Sequence, residues 1–175
     1  MRKHLPKLIT LLVASGVSGW LFADSGREGG GLPAVDHKAW RDECGSCHVA
    51  FHPGLLPERS WRGLMNGLDR HFGENAALDP ATRKAITEFL AANAADRSDA
   101  RRARKIAASI PAAQTPLRIS ATAWFERKHD ELRSEVWKHK EVGSRANCGA
   151  CHLGADQGRF DEHDIVVPGK TRRGA

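Results

Sequence analysis

The pentapeptide CGSCH at residues 44–48 recurs as CGACH at residues 148–152, and the two copies contain all four cysteines of the 175-residue chain. Two thiols three residues apart, with an imidazole directly after the second, suit covalent haem attachment: the sulfurs close thioether bonds to one macrocycle and the histidine turns toward its iron. Cys44, Cys47 and His48 are expected to hold one haem, and Cys148, Cys151 and His152 a second. A four-cysteine zinc site or two short disulfides would use the same thiols. Neither needs a histidine after the second cysteine in both copies, and zinc pairs usually lie far closer than the 104 residues between Cys44 and Cys148. Two attached macrocycles constrain the fold strongly. Each offers a broad apolar surface to pack against, so a unit of about 60–80 residues can be stable without a large side-chain core.

The N-terminus reads as an export signal over residues 1–23, with Arg2, Lys3 and Lys7 ahead of an apolar run from residue 8 to 23. That run is shorter than the roughly 20 residues a spanning helix needs, so cleavage is expected; an uncleaved anchor is the alternative and would be the only membrane contact. Residues 24–34, with their glycines, predict a flexible lead-in. The formal charge of +6 falls to +3 once the three basic residues of the signal leave. Four haem propionates would bring it near neutrality, so composition lends no support to nucleic-acid binding. A hydrophobic content of 41% argues against disorder.

Helical periodicity predicts a mainly α protein made of two small c-type haem-binding units, residues 35–110 and 111–175, packed around the two haems. Trp61, Leu64, Met65, Leu68 and Phe72 form one stripe, with Ser60 as the expected N-cap and His71 at the stripe's edge. A second helix is expected from Asp79 and Pro80, burying Ile86, Phe89, Leu90 and Ala94 over the first haem. The basic run RSDARRARK at residues 97–105, followed by Pro111 and Pro116, reads as a solvated boundary between the halves. A long third helix is expected from Ser120 as N-cap to about Lys140, burying Trp124, Phe125, Leu132 and Val136. The only extended run is at residues 165–167. The halves are not a tandem repeat, because the first motif precedes its helices and the second follows a helix.

The second axial ligand of each iron must come from elsewhere. Met1 belongs to the signal, so only Met65 could give His/Met ligation, and its place among core positions favours packing. For the first haem, His52 lies four residues beyond His48 and would project from the same side. His71 can approach from the far side, with Gly73 to end its helix, and is favoured over His52 and Met65. His37 reads as surface. For the second haem, His129 beside Trp124 and Phe125 is favoured over His139, flanked by lysines, and His163, flanked by acids.

At these residues the chain resembles the dihaem cytochrome c (DHC) family of exported bacterial electron carriers. The resemblance rests on ECGSCH with GLLPERSW after it, DRHFGENAALD, WFERKHDEL, NCGACHLGADQGRF and IVVPG, spread over residues 43–169. It implies two bis-histidine haems, pairing His48 with His71 and His152 with His129. It also implies service between a membrane b-type cytochrome and a small monohaem cytochrome that binds oxygen. The basic segment at residues 101–105 lies outside that pattern.

Two imidazoles per iron leave no open coordination position, so outer-sphere electron transfer is expected rather than catalysis. Histidine in place of methionine lowers the reduction potential, which predicts a low-potential periplasmic relay between a membrane cytochrome or quinol donor and a soluble haem protein. The competing reading is a haem enzyme, or an oxygen- or peroxide-reactive cytochrome, with one haem that can open. A third makes the chain an electron-transfer subunit of a larger oxidoreductase complex.

Overall fold

The computed structural model describes residues 31–169, so the export signal and most of the lead-in lie outside the described residues. Leu32, within the expected lead-in, is only 7% exposed, and its N–H donates to the carbonyl of Gly158 at 3.3 Å. The chain is therefore held from here onward. Among the described residues there are six α-helices joined by 3₁₀ turns and no strand, only two isolated bridges.

Helix α1 (Lys38–Gly45) begins where the His37 ring accepts a hydrogen bond from the Trp40 N–H at 3.2 Å. His37 is thus a half-buried cap rather than a free surface residue, and it stacks on Phe89 at 4.8 Å. Helix α2 (Glu58–Asn66) begins three residues earlier than Ser60 as N-cap would have placed it. Its cap comes from a distant part of the chain: Asp96 accepts the Glu58 N–H at 2.8 Å, and the Glu58 carboxylate pairs with Arg97 and Arg62. Ser60 is fully buried inside the helix. Helix α3 (Pro80–Ala92) starts as expected, because Asp79 accepts the N–H groups of Ala81 and Thr82 and proline occupies the first turn.

Trp40, Leu56, Trp61, Met65, Ile86 and Leu90 form the centre of the core, and each fully buried aliphatic side chain contributes about 1.5–3 kcal/mol. The Trp61 indole N–H is satisfied by the Pro53 carbonyl at 2.7 Å. Phe72, expected in this stripe, is instead 46% exposed. Helix α2 stops at Gly67, a 3₁₀ turn follows over Leu68–Arg70, and Phe72 takes φ 56° as the chain reverses. That reversal turns its ring outward beneath the Arg118 guanidinium, 3.8 Å away.

The basic run is not a mere boundary. Residues Arg101–Ala108 form helix α4, whose Ala103 and Ile106 are buried in the same core while Arg101, Arg104 and Lys105 face outward. The long third helix is broken in two: α5 (Ala123–Lys128) and α6 (Ser134–Lys138). Thr122, not Ser120, caps α5, accepting the Phe125 N–H at 3.2 Å while its hydroxyl donates to the Ile119 carbonyl at 2.8 Å. At the other end the His129 N–H bonds Glu126 instead of Phe125, and the His129 ring takes over the Phe125 carbonyl at 2.8 Å. The side chain satisfies the carbonyl that a continuing helix would have used.

The halves share their packing. Arg59 donates to the carbonyls of Pro111 and Gln114, and Ile119, Trp124 and Phe160 pack against the core of the first half. Gly158, at φ 69°, lies so close to the His52 ring that an added Cβ would come within 2.6 Å of it. Gly158→Ala is expected to destabilise the protein by about 1–2 kcal/mol from the left-handed backbone alone, with the steric conflict added. Denaturant unfolding would read this as a lower midpoint at unchanged slope, and an unchanged midpoint would refute it.

Candidate functional site

Each CxxCH motif is presented differently. The first begins in the last turn of α1, with Cys44 half-buried and Cys47 and His48 exposed in the turn after it. The second begins as a 3₁₀ turn over Cys148–Ala150, and its His152 bridges Ile165 while the Val166 N–H donates to the Cys151 carbonyl at 3.0 Å. The extended run at 165–167 therefore pins the second motif. Burial is the main cause that pushes the thiols of Cys44 and Cys148 up to about 11. Among the described residues no group of three or more cysteine, histidine or acidic side chains converges on a metal position.

His48 and His71 face one another with ring centres 6.1 Å apart and planes 23° from parallel. His129 and His152 are likewise 6.1 Å apart, with planes at 85°. Two imidazoles bound on opposite sides of one iron at about 2 Å per bond would have ring centres about 6 Å apart, so both pairs fit a bis-histidine haem. His71 is not on the helix that sequence periodicity suggested but leaves the 3₁₀ turn beyond it and bridges Glu74. His129 is the residue that ends α5.

Ring hydrogen bonds help to define which nitrogen is free. His48 Nδ1 lies 2.8 Å from the Val49 carbonyl and His129 Nδ1 2.8 Å from the Phe125 carbonyl. An Nδ1–H donating to a carbonyl leaves Nε2 with the lone pair a metal needs. His152 Nδ1 is buried without a hydrogen-bond partner among the described residues. Burial, followed by the neighbouring His48 and Arg118, holds His71 below the ordinary imidazole range. Burial, followed by His129 and Arg102, does the same for His152.

The alternative ligands are placed elsewhere. His52 is 3% exposed and its ring is fully engaged, with Nε2 donating to the Pro33 carbonyl at 2.7 Å and Nδ1 accepting from the Gly54 N–H at 2.9 Å. It is a structural cross-tie between Pro33 and Gly54. Met65 is buried in the core. His139 caps the end of α6, and His163 lies exposed in a 3₁₀ turn; neither lines the cavity of about 550 Å³ that contains Cys148, Cys151, His129 and His152. That volume lies within the usual range for a ligand pocket, about 300–1,000 Å³.

Besides Phe125, which the sequence already set beside His129, the cavity walls include Trp137, Phe160, Arg145 and Arg102, none of which the sequence had assigned. Phe125 stacks on His129 at 4.0 Å, Trp137 stands 5.8 Å from His129, and Phe160 lies 5.3 Å from His152. Arg145 caps Phe125 and Trp137 from 5.1 and 5.2 Å. Arg102 reaches in from α4 and donates to the Phe160 carbonyl at 3.0 Å. The spacing of Ala103, Ile106 and Ile110 is the signal that could have revealed α4, and with it Arg102. The first pair lies nearer the surface, flanked by Phe51, 4.8 Å from His48, and Phe72, 4.7 Å from His71.

The model of the dihaem cytochrome c family matches residues 40–160, a span that holds both motifs and both histidine pairs. The chain belongs to the dihaem cytochrome c family. Three solved structures agree with this assignment. A diheme cytochrome c from Rhodobacter sphaeroides is 46% identical, with 73% of this chain and 98% of that one covered and a TM-score of 0.65. A second structure, of DHC purified from Rhodobacter sphaeroides, is 43% identical over 73% of this chain and 100% of that one, with a TM-score of 0.59. A diheme cytochrome type c from Shewanella baltica OS155 is 36% identical over 77% of this chain and 94% of that one, with a TM-score of 0.63. No curated protein matches the chain. This dihaem cytochrome carries two c-type haems, transfers electrons and serves redox partner proteins. Among the described residues no helix is long and apolar enough to cross a membrane.

Proposed function

We propose that this dihaem cytochrome is a low-potential periplasmic electron relay in which both irons are closed by two histidines. His48 and His71 would hold the first, and His152 and His129 the second. Cys44 and Cys47, then Cys148 and Cys151, would carry the thioether bonds. The observation that carries the reading is the pair of facing imidazoles, 6.1 Å apart at each motif. A bound haem supplies reversible one-electron chemistry at its iron. The chain's own contribution is to keep both coordination positions filled, to orient the rings, and to exclude water from the second site with Phe125, Trp137 and Phe160. With four histidine nitrogens and no thioether at the metals, the potentials are expected at the low end for c-type haems.

Export rests on the basic and apolar start of the chain and on the attachment chemistry, which in bacteria takes place outside the cytoplasmic membrane. The partner reading, a membrane b-type cytochrome or quinol donor and a small soluble haem protein as acceptor, rests on the family resemblance. The division into haem units at residues 35–110 and 111–175 rests on one motif and one histidine pair falling in each.

Carbon monoxide added to the reduced holoprotein tests the closed sites. No rapid change in the Soret band is expected, and a fast shift in one haem would transfer support to the enzyme reading. The ring planes make a second prediction. Nearly parallel imidazoles at the first site and nearly perpendicular ones at the second should give two unlike low-spin ferric signals in electron paramagnetic resonance. A single signal accounting for both irons would contradict the pairing.

A further inference from the structure

Within the described residues, positive charge is concentrated in one region. From residue 97 to 128 the chain carries eight basic and two acidic side chains, whereas the rest of residues 31–169 carries twelve basic and seventeen acidic. Within that region Arg97 pairs with Glu58 and Lys128 with Glu162, and Arg102 is turned inward to the Phe160 carbonyl. Arg101, Arg104, Lys105 and Arg127 are exposed and make no ion pair among the described residues. The inner face of α4, through Ala103 and Ile106, fixes the outer face rigidly against the core.

This basic face leads to the second site. Lys105, Ala108, Ser109, Trp124 and Arg127 line a shallow depression, and Trp124 and Arg127 also line the cavity that holds His129 and His152. The Arg127 guanidinium lies 5.4 Å from the Trp124 ring centre. A half-buried indole therefore spans from the basic surface to the second haem site. A rim of exposed cations around a small aromatic centre suits a transient, wet, salt-sensitive interface.

We propose that Lys105 and Arg127, beside Trp124, together with the exposed Arg101 and Arg104 on the same helix as Lys105, form the docking surface for an acidic one-electron carrier protein that exchanges electrons with the second haem. The inference rests on the electron-relay reading above. One electron crosses per encounter: the iron passes between ferrous and ferric while the partner's centre undergoes the opposite change. No bond is made or broken.

Flavodoxin hydroquinone, a small donor with an acidic surface, serves as the protein probe, and methyl viologen radical cation as a small probe of opposite charge. Reduction of the ferric holoprotein is followed by stopped flow between about 10 and 500 mM salt. With flavodoxin the rate should fall about tenfold or more across that range. The Arg101→Glu/Arg104→Glu/Lys105→Glu variant should be slower by a similar factor at low salt, and the corresponding glutamine variant intermediate. Both variants should keep the wild-type optical spectrum. With methyl viologen the variants should be no slower than the wild type. Equal flavodoxin rates in wild type and variants would overturn the docking surface. So would charge-dependent binding to phosphatidylglycerol vesicles with flavodoxin rates insensitive to the substitutions, which would assign the face to a membrane. Haems that methyl viologen cannot reduce would instead sink the relay reading itself, and the docking surface with it.

Discussion

His129→Ala is expected to open the second haem to carbon monoxide while leaving the first closed. The ring of His129 stands opposite His152, and its Nδ1 is occupied by the Phe125 carbonyl, so Nε2 is the nitrogen available to iron. Among the described residues no histidine or methionine besides His129 and His152 lines the cavity to replace it. His139 and His163 do not line the cavity, and both ring nitrogens of His52 are already engaged. The reduced variant should therefore bind carbon monoxide at one of its two haems, giving about half the Soret change of a doubly opened protein. Added imidazole should restore the closed spectrum. The loss of the ring also frees the Phe125 carbonyl at the end of α5, with a stability cost of about 1 kcal/mol that imidazole would not recover. His71→Ala should open the first haem in the same way. If either variant keeps two closed haems, the corresponding ligand has been misassigned.

Removing the second attachment, with Cys148→Ala and Cys151→Ala, should unfold much of residues 120–169 and spare the first half. The asymmetry lies in the packing. The main core is drawn almost entirely from residues 32–110, whereas the second half buries little more than Thr122, Phe125, Val136, Val142 and Ala155. Its helices are six and five residues long. Isolated helices below about 12–15 residues are marginal in water, so α5 and α6 depend on what they pack against. Phe125, Trp137, His129 and Phe160 all line the second cavity, so the haem is the object they share. Amide exchange in the variant should show protection falling by about a hundredfold or more across α5 and α6, with α2 and α3 little changed. Uniform loss would mean that the halves fold as one cooperative unit. Unchanged protection would mean that the protein alone holds the second half.

The parts of the fold legible in sequence were those set by neighbouring residues. Asp79 and Pro80 announce α3 because the cap and the fixed φ of proline act within one turn. The stripe of Trp61, Met65 and Leu68 is buried as its period requires. Ser60 misled because the cap of α2 comes from Asp96, 38 residues away, and no local pattern contains that contact. The helix expected from Ser120 to Lys140 fails at His129, where a side chain takes over a backbone acceptor. The run at residues 97–105 looked like a solvated boundary because its arginines outnumber the two small faces, Ala103 and Ile106, that seat it in the core.

The haem sites divide in the same way. Attachment needs five consecutive residues, so the repeated CxxCH motif was decisive in the sequence alone. Which histidine faces each motif depends on where the chain reverses: at Phe72 after α2 for His71, and at the end of α5 for His129. The tertiary structure placed these rings, tied up His52 between Pro33 and Gly54, and brought Arg102 of α4 against the second site. The physical reason is one of range. Thioether attachment is a local covalent pattern, whereas a ring's position opposite an iron is the sum of turns, caps and packing contacts made across the whole chain.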